Sequence, residues 1–225
     1  MNHHQPATHI LFDMDGLLID TEIVYTRVTQ RIVARYGKTF DWSIKSNMIG
    51  RRAEESSRYL VEALGLPISA EDYLRERDTL MKLEFPSCTE MAGAKRLVTH
   101  LKDHDIPIAV ASSSSRELFE IKTMNHPWFS KFDAVVTGDD PEIEHGKPAP
   151  DIFLRAAALI NAPPPRTLVF EDAPSGLEAA TAAGMRTIAI PDPHMERSRY
   201  DGAVMVLDSL TEFPPAAFGL PAMQL

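Results

Sequence analysis

Short apolar runs recur along the chain, and polar residues follow each of them. Five runs have the length and the β-branched and aromatic content of buried strands, and a sixth is a weaker candidate. In chain order they are HILFD from His9, IPIAVAS from Ile106, FDAVVTG from Phe132, RTLVFED from Arg166, MRTIAIPD from Met185 and GAVMVLDS from Gly202. Because nearly continuous apolar runs are typical of strands covered on both faces, they predict a parallel sheet.

Patterns with the period of an α-helix lie between most of these runs. The segment 148–160 places its apolar residues on one side, and the segment 176–183 ends at Gly184, a residue type that commonly follows a helix. Strands that alternate with helices indicate an α/β protein whose parallel sheet carries helices on both faces.

Residues 20–88 interrupt this alternation. Helical patterns cover 22–36 and 52–64, and a third begins after Ser69 and stops before Pro86. Three successive helices between the first two strands indicate an insertion. We therefore expect a core domain formed by residues 1–19 and 89–225, and a helical cap domain formed by residues 20–88.

Polar residues stand at the carboxyl ends of four predicted strands, where the loops of a parallel sheet converge. They are Asp13 and Asp15 after the first strand, Ser112 after the second, Lys147 in the loop after the third, and Glu171 and Asp172 after the fourth. Crowded carboxylates need a cation, a shared proton or water nearby. Asp13, Asp15 and Asp172 offer the hard oxygen ligands that Mg²⁺ prefers.

The remaining strand-end residues suit a phosphoryl group. Ser112 and the backbone N–H groups that follow it, beginning with Ser113, fit phosphoryl oxygens, and Lys147 adds a fixed positive charge. A carboxylate in such a site is able to attack phosphorus and form an aspartyl-phosphate. Ser112 also fits a different role, the N-cap of the following helix, and that alternative stays open.

The four polar stretches resemble the motifs of the haloacid dehalogenase-like (HAD) superfamily. FDMDGLLIDTE is similar to its first motif, IAVASSSS to its serine motif, HGKPAPDIF to its lysine motif and LVFEDAPSG to its terminal acidic motif, in the family's order. The resemblance implies a Rossmann-like core with a helical cap inserted after the first motif. The closest resemblance is to the pseudouridine-5′-phosphatase group, with glycerol-3-phosphate and 2-deoxyglucose-6-phosphate phosphatases as near neighbours.

The same resemblance implies roles for the motif residues. Asp13 would be the nucleophile, and Asp15 the general acid and then the base that activates water. Ser112, Ser113 and Lys147 would bind the phosphoryl group. The ligands of Mg²⁺, the implied cofactor, would be the Asp13 side chain, the Asp15 backbone carbonyl and Asp172, with Glu171 nearby through water. We therefore predict a Mg²⁺-dependent phosphomonoesterase for a small phosphorylated sugar or nucleotide-like metabolite.

Rival functions remain within and beyond the enzymes. A dehalogenase of this family lacks the acid at the position of Asp15, which makes that activity remote. A β-phosphoglucomutase keeps the acid but carries a histidine where this chain has Tyr25. A HAD-fold protein that binds a metabolite without catalysis is the third alternative. Arg51 and Arg52, in MIGRRAEES, are candidates for substrate contacts from the cap, although a solvated helix start explains them equally well.

Composition excludes several other classes. The 225 residues are 44% hydrophobic and 24% charged, which is typical of a globular protein with a sizeable core. A formal net charge of −9 without a Lys/Arg cluster argues against nucleic acid as a partner. The single cysteine, Cys88, excludes a disulfide framework. With no apolar run of about 20 residues, we expect a cytoplasmic monomer or homodimer that does not bind membranes.

Overall fold

The computed structural model describes residues 5–48 and 53–223, and in these ranges the six predicted strands form one parallel sheet. The strands are β1 His9–Phe12, β2 Ile108–Ser112, β3 Ala134–Thr137, β4 Thr167–Glu171, β5 Arg186–Ala189 and β6 Met205–Val206. Their order across the sheet is β3-β2-β1-β4-β5-β6. The predicted fold class, a Rossmann-like α/β sheet, is confirmed.

Eight α-helices lie in the described ranges. They are α1 Thr21–Ala34, α2 Trp42–Lys45, α3 Ala53–Leu64, α4 Ala70–Glu84, α5 Ala94–Asp103, α6 Arg116–Thr123, α7 Asp151–Leu159 and α8 Pro174–Ala182. None of these helices is both long enough and apolar enough to pass through a bilayer. The chain divides into two compact units: Met1–Asp20 with Thr89–Leu225, which we call the sheet unit, and Thr21–Cys88, which we call the helical unit.

Apolar side chains cover the sheet on both faces. Along β1, the fully buried Ile10 and Phe12 belong to one apolar cluster, which includes the buried face of α5. Leu11, between them, belongs to a second cluster that includes residues of α7 and α8. Because successive side chains of a strand point to opposite faces, each apolar run supplies two cores at once.

The central position of β1 brings the polar strand ends together. Phe12 lies opposite Val110 of β2 on one side and opposite Phe170 of β4 on the other. The backbone N–H of Asp13 donates to the carbonyl of Phe170 at 3.0 Å, and Glu171 directly follows Phe170. The first aspartate and the terminal acidic motif therefore lie side by side at one edge of the sheet.

The helical unit is held by buried and ionic contacts between its own helices. The hydroxyls of Thr29 on α1 and Tyr73 on α4 are 3.1 Å apart in a buried hydrogen bond. Arg27 Nε lies 2.5 Å from Glu84 Oε2, joining the same two helices. As the sequence predicted, α4 begins after Ser69, whose Oγ accepts the backbone N–H of Asp72.

Candidate active site

Lys147 is the centre of a buried ionic cluster in the sheet unit. Its Nζ donates to Asp13 Oδ1 at 2.6 Å, to Glu171 Oε1 at 2.6 Å and to the carbonyl of Ala111 at 3.1 Å. A lysine ammonium has three donors, so the three contacts use its full capacity. The side chain is only 6% exposed, which makes each of these charge-assisted bonds stronger than its counterpart in water.

Burial and crowding shift the proton affinities of this cluster. Burial raises the pKa of Asp13 to about 7 against the opposing effect of Lys147, and the carboxylates of Glu171 and Asp15 add to the rise. Burial alone would lower the pKa of Lys147, but the carboxylates of Asp13 and Glu171 outweigh it and raise that pKa above its ordinary value. Lys147 is therefore a fixed cation, and negative charge is in excess around Asp13.

Asp172 completes an acidic cluster that suits a divalent cation. Asp13, Glu171 and Asp172 each offer a carboxylate oxygen, and these atoms lie within 4.8 Å of one another. Glu171 already uses both oxygens on the protein, since Oε1 binds Lys147 and Oε2 accepts the N–H groups of Asp172 and Ala173 at 3.0 Å. Three carboxylates against one ammonium form a hard, anionic set of oxygen donors, the kind that suits Mg²⁺.

A glycine in α8 makes room for the Glu171 carboxylate. A Cβ atom at Gly176 would lie 1.8 Å from Glu171 Oε1 and 1.9 Å from its carboxyl carbon. No side chain larger than hydrogen fits there without moving Glu171. The glycine of the LVFEDAPSG stretch is therefore part of the site, although it bears no functional group.

Asp15 is held by a second lysine, which the sequence did not single out. Lys122 Nζ donates to Asp15 Oδ1 at 2.6 Å and to Ser114 Oγ at 2.8 Å. Ser114 Oγ in turn donates to Asp15 Oδ2 at 2.9 Å. The only signal was helical spacing: Lys122 follows Phe119 by three residues, and these two are the buried residues of α6.

The serine motif lies beside Asp15, and the N-cap interpretation of Ser112 is wrong. The buried Ser112 Oγ accepts the backbone N–H of Ser114 at 3.2 Å and donates to Asp15 Oδ2 at 3.4 Å. The residue that caps α6 is Ser115, whose Oγ accepts from the N–H of Leu118. Ser113 is exposed in the loop between β2 and α6.

Tyr200 is a further contact of the site that the sequence did not indicate. Its buried hydroxyl donates to the backbone carbonyl of Asp172 at 2.5 Å, which fixes the loop after β4. The predicted substrate residues Arg51 and Arg52 lie outside the described residues. The structure thus brings together the carboxylates of Asp13, Glu171 and Asp172 around Lys147, and places Asp15 with the serine motif.

The helical unit contains a cavity of its own, lined by apolar and charged side chains. Its volume is about 300 Å³, and its lining includes the charged side chains of Glu22, Lys45 and Arg77 together with Tyr25 and Tyr73. Lys45 Nζ lies 2.9 Å from Glu22 Oε2, and the Lys45 side chain is only 17% exposed. A largely apolar wall with a few charged groups around one small volume is typical of a small-molecule site.

Comparison with known proteins identifies relatives of the chain. Residues 10–190 match the family described as "Haloacid dehalogenase-like hydrolase". The Arabidopsis thaliana protein "(DL)-glycerol-3-phosphatase 1, mitochondrial" is 47% identical over 223 residues, which cover 96% of this chain and 75% of that protein. The Drosophila melanogaster protein "Probable pseudouridine-5'-phosphatase" is 43% identical over 220 residues, covering 96% of this chain and 95% of that protein.

Solved structures share the same fold. The crystal structure of a HAD family hydrolase from Deinococcus radiodurans R1, with bound phosphate and sodium, has a TM-score of 0.81 and 25% sequence identity. The match covers 97% of this chain and 99% of that chain. These matches confirm the resemblance that the four ordered motifs predicted.

Proposed function

Because the chain belongs to the haloacid dehalogenase-like hydrolase family, we propose that it is a Mg²⁺-dependent phosphatase of small phosphorylated metabolites. The relatives named as glycerol-3-phosphatase and pseudouridine-5'-phosphatase support this reaction class. The observation that carries the proposal is the buried contact of Lys147 with both Asp13 and Glu171, beside the carboxylate of Asp172. This contact brings a fixed cation and a crowded set of anionic oxygen donors together at one place in the fold.

Asp13 is the proposed nucleophile. Lys147 binds its Oδ1 and so fixes the orientation of the carboxylate, which is the main requirement of phosphoryl transfer. A carboxylate oxygen of Asp13 forms a bond to phosphorus while the bond from phosphorus to the ester oxygen breaks. The product of this step is an aspartyl-phosphate and the departing alcohol.

Asp15 is the proposed proton carrier. It gives a proton to the departing alkoxide, because an alkoxide is too basic to leave unprotonated. It then accepts a proton from the water molecule that attacks the aspartyl-phosphate, which restores Asp13 and releases inorganic phosphate. Over the cycle, one ester and one water yield one alcohol and one phosphate.

Phosphoryl binding is assigned to Ser112 and the N–H of Ser113, and Lys147 supports it through its positive charge, since all three of its donors are bonded to the protein. The metal is assigned to the side chains of Asp13 and Asp172 and the backbone carbonyl of Asp15, with Glu171 as an outer neighbour. When bound, Mg²⁺ would neutralise the carboxylates and the phosphate charge that otherwise repel each other. The excess of carboxylates over cations around Asp13 supports this assignment.

Selection among phosphate esters is assigned to the helical unit, in the role of a cap. Its cavity offers a carboxylate, an ammonium and a guanidinium from Glu22, Lys45 and Arg77, which suit the hydroxyl groups of a polyol or sugar. Both named classes of relative have polar, hydroxyl-bearing alcohols as products. The proposed substrates are therefore small polyol, sugar or nucleoside monophosphates.

Phosphate release from a panel of such esters tests the proposal. We expect Mg²⁺-dependent formation of free phosphate with glycerol, sugar or nucleoside monophosphates, and none with the Asp13→Asn variant. Formation of isomeric sugar phosphates without free phosphate would indicate a mutase instead. Binding of the esters without turnover would indicate a metabolite-binding protein.

A further inference from the structure

We propose that Lys122 is a positioning residue for Asp15, which it holds in the orientation needed for proton transfer to the leaving alcohol. This inference rests on the proposed function, since it requires Asp15 to act as the general acid. Lys122 is distinct from Lys147, which binds Asp13 and Glu171. Each aspartate of the first motif thus has its own buried ammonium partner at 2.6 Å.

The burial of Lys122 indicates a specific role. The side chain is only 1% exposed, although an isolated ammonium loses several kcal/mol of hydration on burial. Its nitrogen reaches Asp15 and Ser114 from the face of α6 that also buries Phe119. A purely apolar residue at this point of the helix would avoid that loss, so the ionic contact with Asp15 is what the lysine contributes.

The contacts fix both oxygens of the Asp15 carboxylate. Lys122 binds Oδ1, and Ser114 binds Oδ2 at 2.9 Å while accepting a hydrogen bond from Lys122. The three side chains form a closed ring of hydrogen bonds, with Ser112 as a longer contact to Oδ2 at 3.4 Å. Such a ring restricts rotation of the carboxylate about its side-chain bonds, so the acid keeps one orientation.

A misplaced acid affects only those reactions that need a proton on the leaving group. An alkyl phosphate such as glycerol phosphate releases a strongly basic alkoxide. The ester p-nitrophenyl phosphate releases a stable phenolate that leaves without a proton. Because kcat/KM reports the barrier up to the first irreversible step, its ratio for the two esters isolates proton donation from the later attack of water.

The test compares kcat/KM for the two esters in wild type and Lys122→Met. We expect the variant to lose about 10- to 100-fold more kcat/KM with glycerol phosphate than with p-nitrophenyl phosphate. Equal losses with both esters, or no loss with either, would overturn the proposal. Ser114→Ala removes the bond to Asp15 Oδ2 and should shift the ratio in the same direction by a smaller factor.

Two controls separate this inference from the proposed function and from a general effect of removing a lysine. Lys102→Met removes an ion pair with Asp133 at 2.7 Å elsewhere in the sheet unit, and the ester ratio should not change. Asp15→Asn should show the alkyl-selective loss in full.

If Asp15→Asn shows it and neither Lys122→Met nor Ser114→Ala does, only the role of Lys122 is wrong. If the wild type hydrolyses neither these two esters nor any other ester of the panel, both proposals fail. If Lys122→Met does not fold, an unchanged ratio in Ser114→Ala still overturns the proposal.

Discussion

Lys147 and Glu171 form a buried ion pair in which Nζ and Oε1 are 2.6 Å apart and the two side chains are 6% and 1% exposed. The pair is stable because neither group depends on the other alone. Lys147 also binds Asp13 and a backbone carbonyl, and Glu171 also accepts two backbone N–H groups. Buried charges that are fully hydrogen-bonded in this way specify one arrangement of the surrounding loops.

Removal of the Lys147 ammonium should destabilise the fold as well as abolish activity. In Lys147→Met the carboxylates of Asp13 and Glu171 face each other without a cation. We expect the free energy of unfolding to fall by about 3–5 kcal/mol at pH 8 without metal, as for other buried pairs that lose one partner. Urea denaturation measures this loss. A change no larger than that of Lys38→Met, an exposed lysine of the helical unit, would contradict it.

A methyl group at Gly176 should disrupt the site although no ionisable residue is replaced. The added Cβ overlaps Glu171 Oε1, so the carboxylate must move away from Lys147. We expect Gly176→Ala to destabilise the protein by about 1–3 kcal/mol and to reduce kcat strongly. The matched control is Gly202→Ala, where the new Cβ would meet Leu177 at an ordinary distance of 3.9 Å. Equal losses of stability and kcat in the two variants would argue against the tight packing of Gly176 on Glu171.

The raised pKa of Asp13 predicts how stability depends on pH in the metal-free protein. Since the pKa rises from 3.8 to about 7 on folding, the folded chain binds more protons than the unfolded chain between these values. The contribution of Asp13 to stability is therefore present below pH 3.8 and is lost as the pH rises through about 7. In the presence of a chelator, the stability of Asp13→Asn relative to wild type should increase over this interval and then level off. A constant difference in the free energy of unfolding between Asp13→Asn and wild type across this pH interval would contradict the raised pKa of Asp13.

The cavity of the helical unit should control KM rather than the chemical step. Lys45 contributes a charge-assisted donor to its lining. We expect Lys45→Met to raise KM about 10-fold for the preferred ester, as the loss of one hydrogen bond to a charged group predicts, with little change in kcat. Steady-state kinetics on the ester panel measure both constants. Lys38→Met is the matched control. An unchanged KM in Lys45→Met would show that the cavity does not take part in substrate recognition.

The sequence predicted those features that depend on local patterns. Apolar runs located all six strands, and the aspartates after β1 and β4 were expected at one edge because the carboxyl ends of parallel strands converge there. The structure pairs β1 with β4 and so places these aspartates side by side. The role of Lys122 was missed because its partner, Asp15, lies 107 residues away in the chain. α2 was missed because its four residues, capped by Asp41, are too few to show a helical period. The packing of Gly176 on Glu171, five residues earlier, depends on the exact geometry of the turn between β4 and α8, which no residue pattern shows.

The most direct test of the proposed mechanism is to find the phosphoryl group on the enzyme. The reaction with an alkyl phosphate and Mg²⁺ is stopped by acid during turnover, and the digested protein is analysed by mass spectrometry. We expect a phosphorylated peptide whose modified residue is Asp13, and its loss in Asp13→Asn or when the metal is chelated. Phosphate release at the wild-type rate by Asp13→Asn, or a phosphoryl group on another residue, would contradict it.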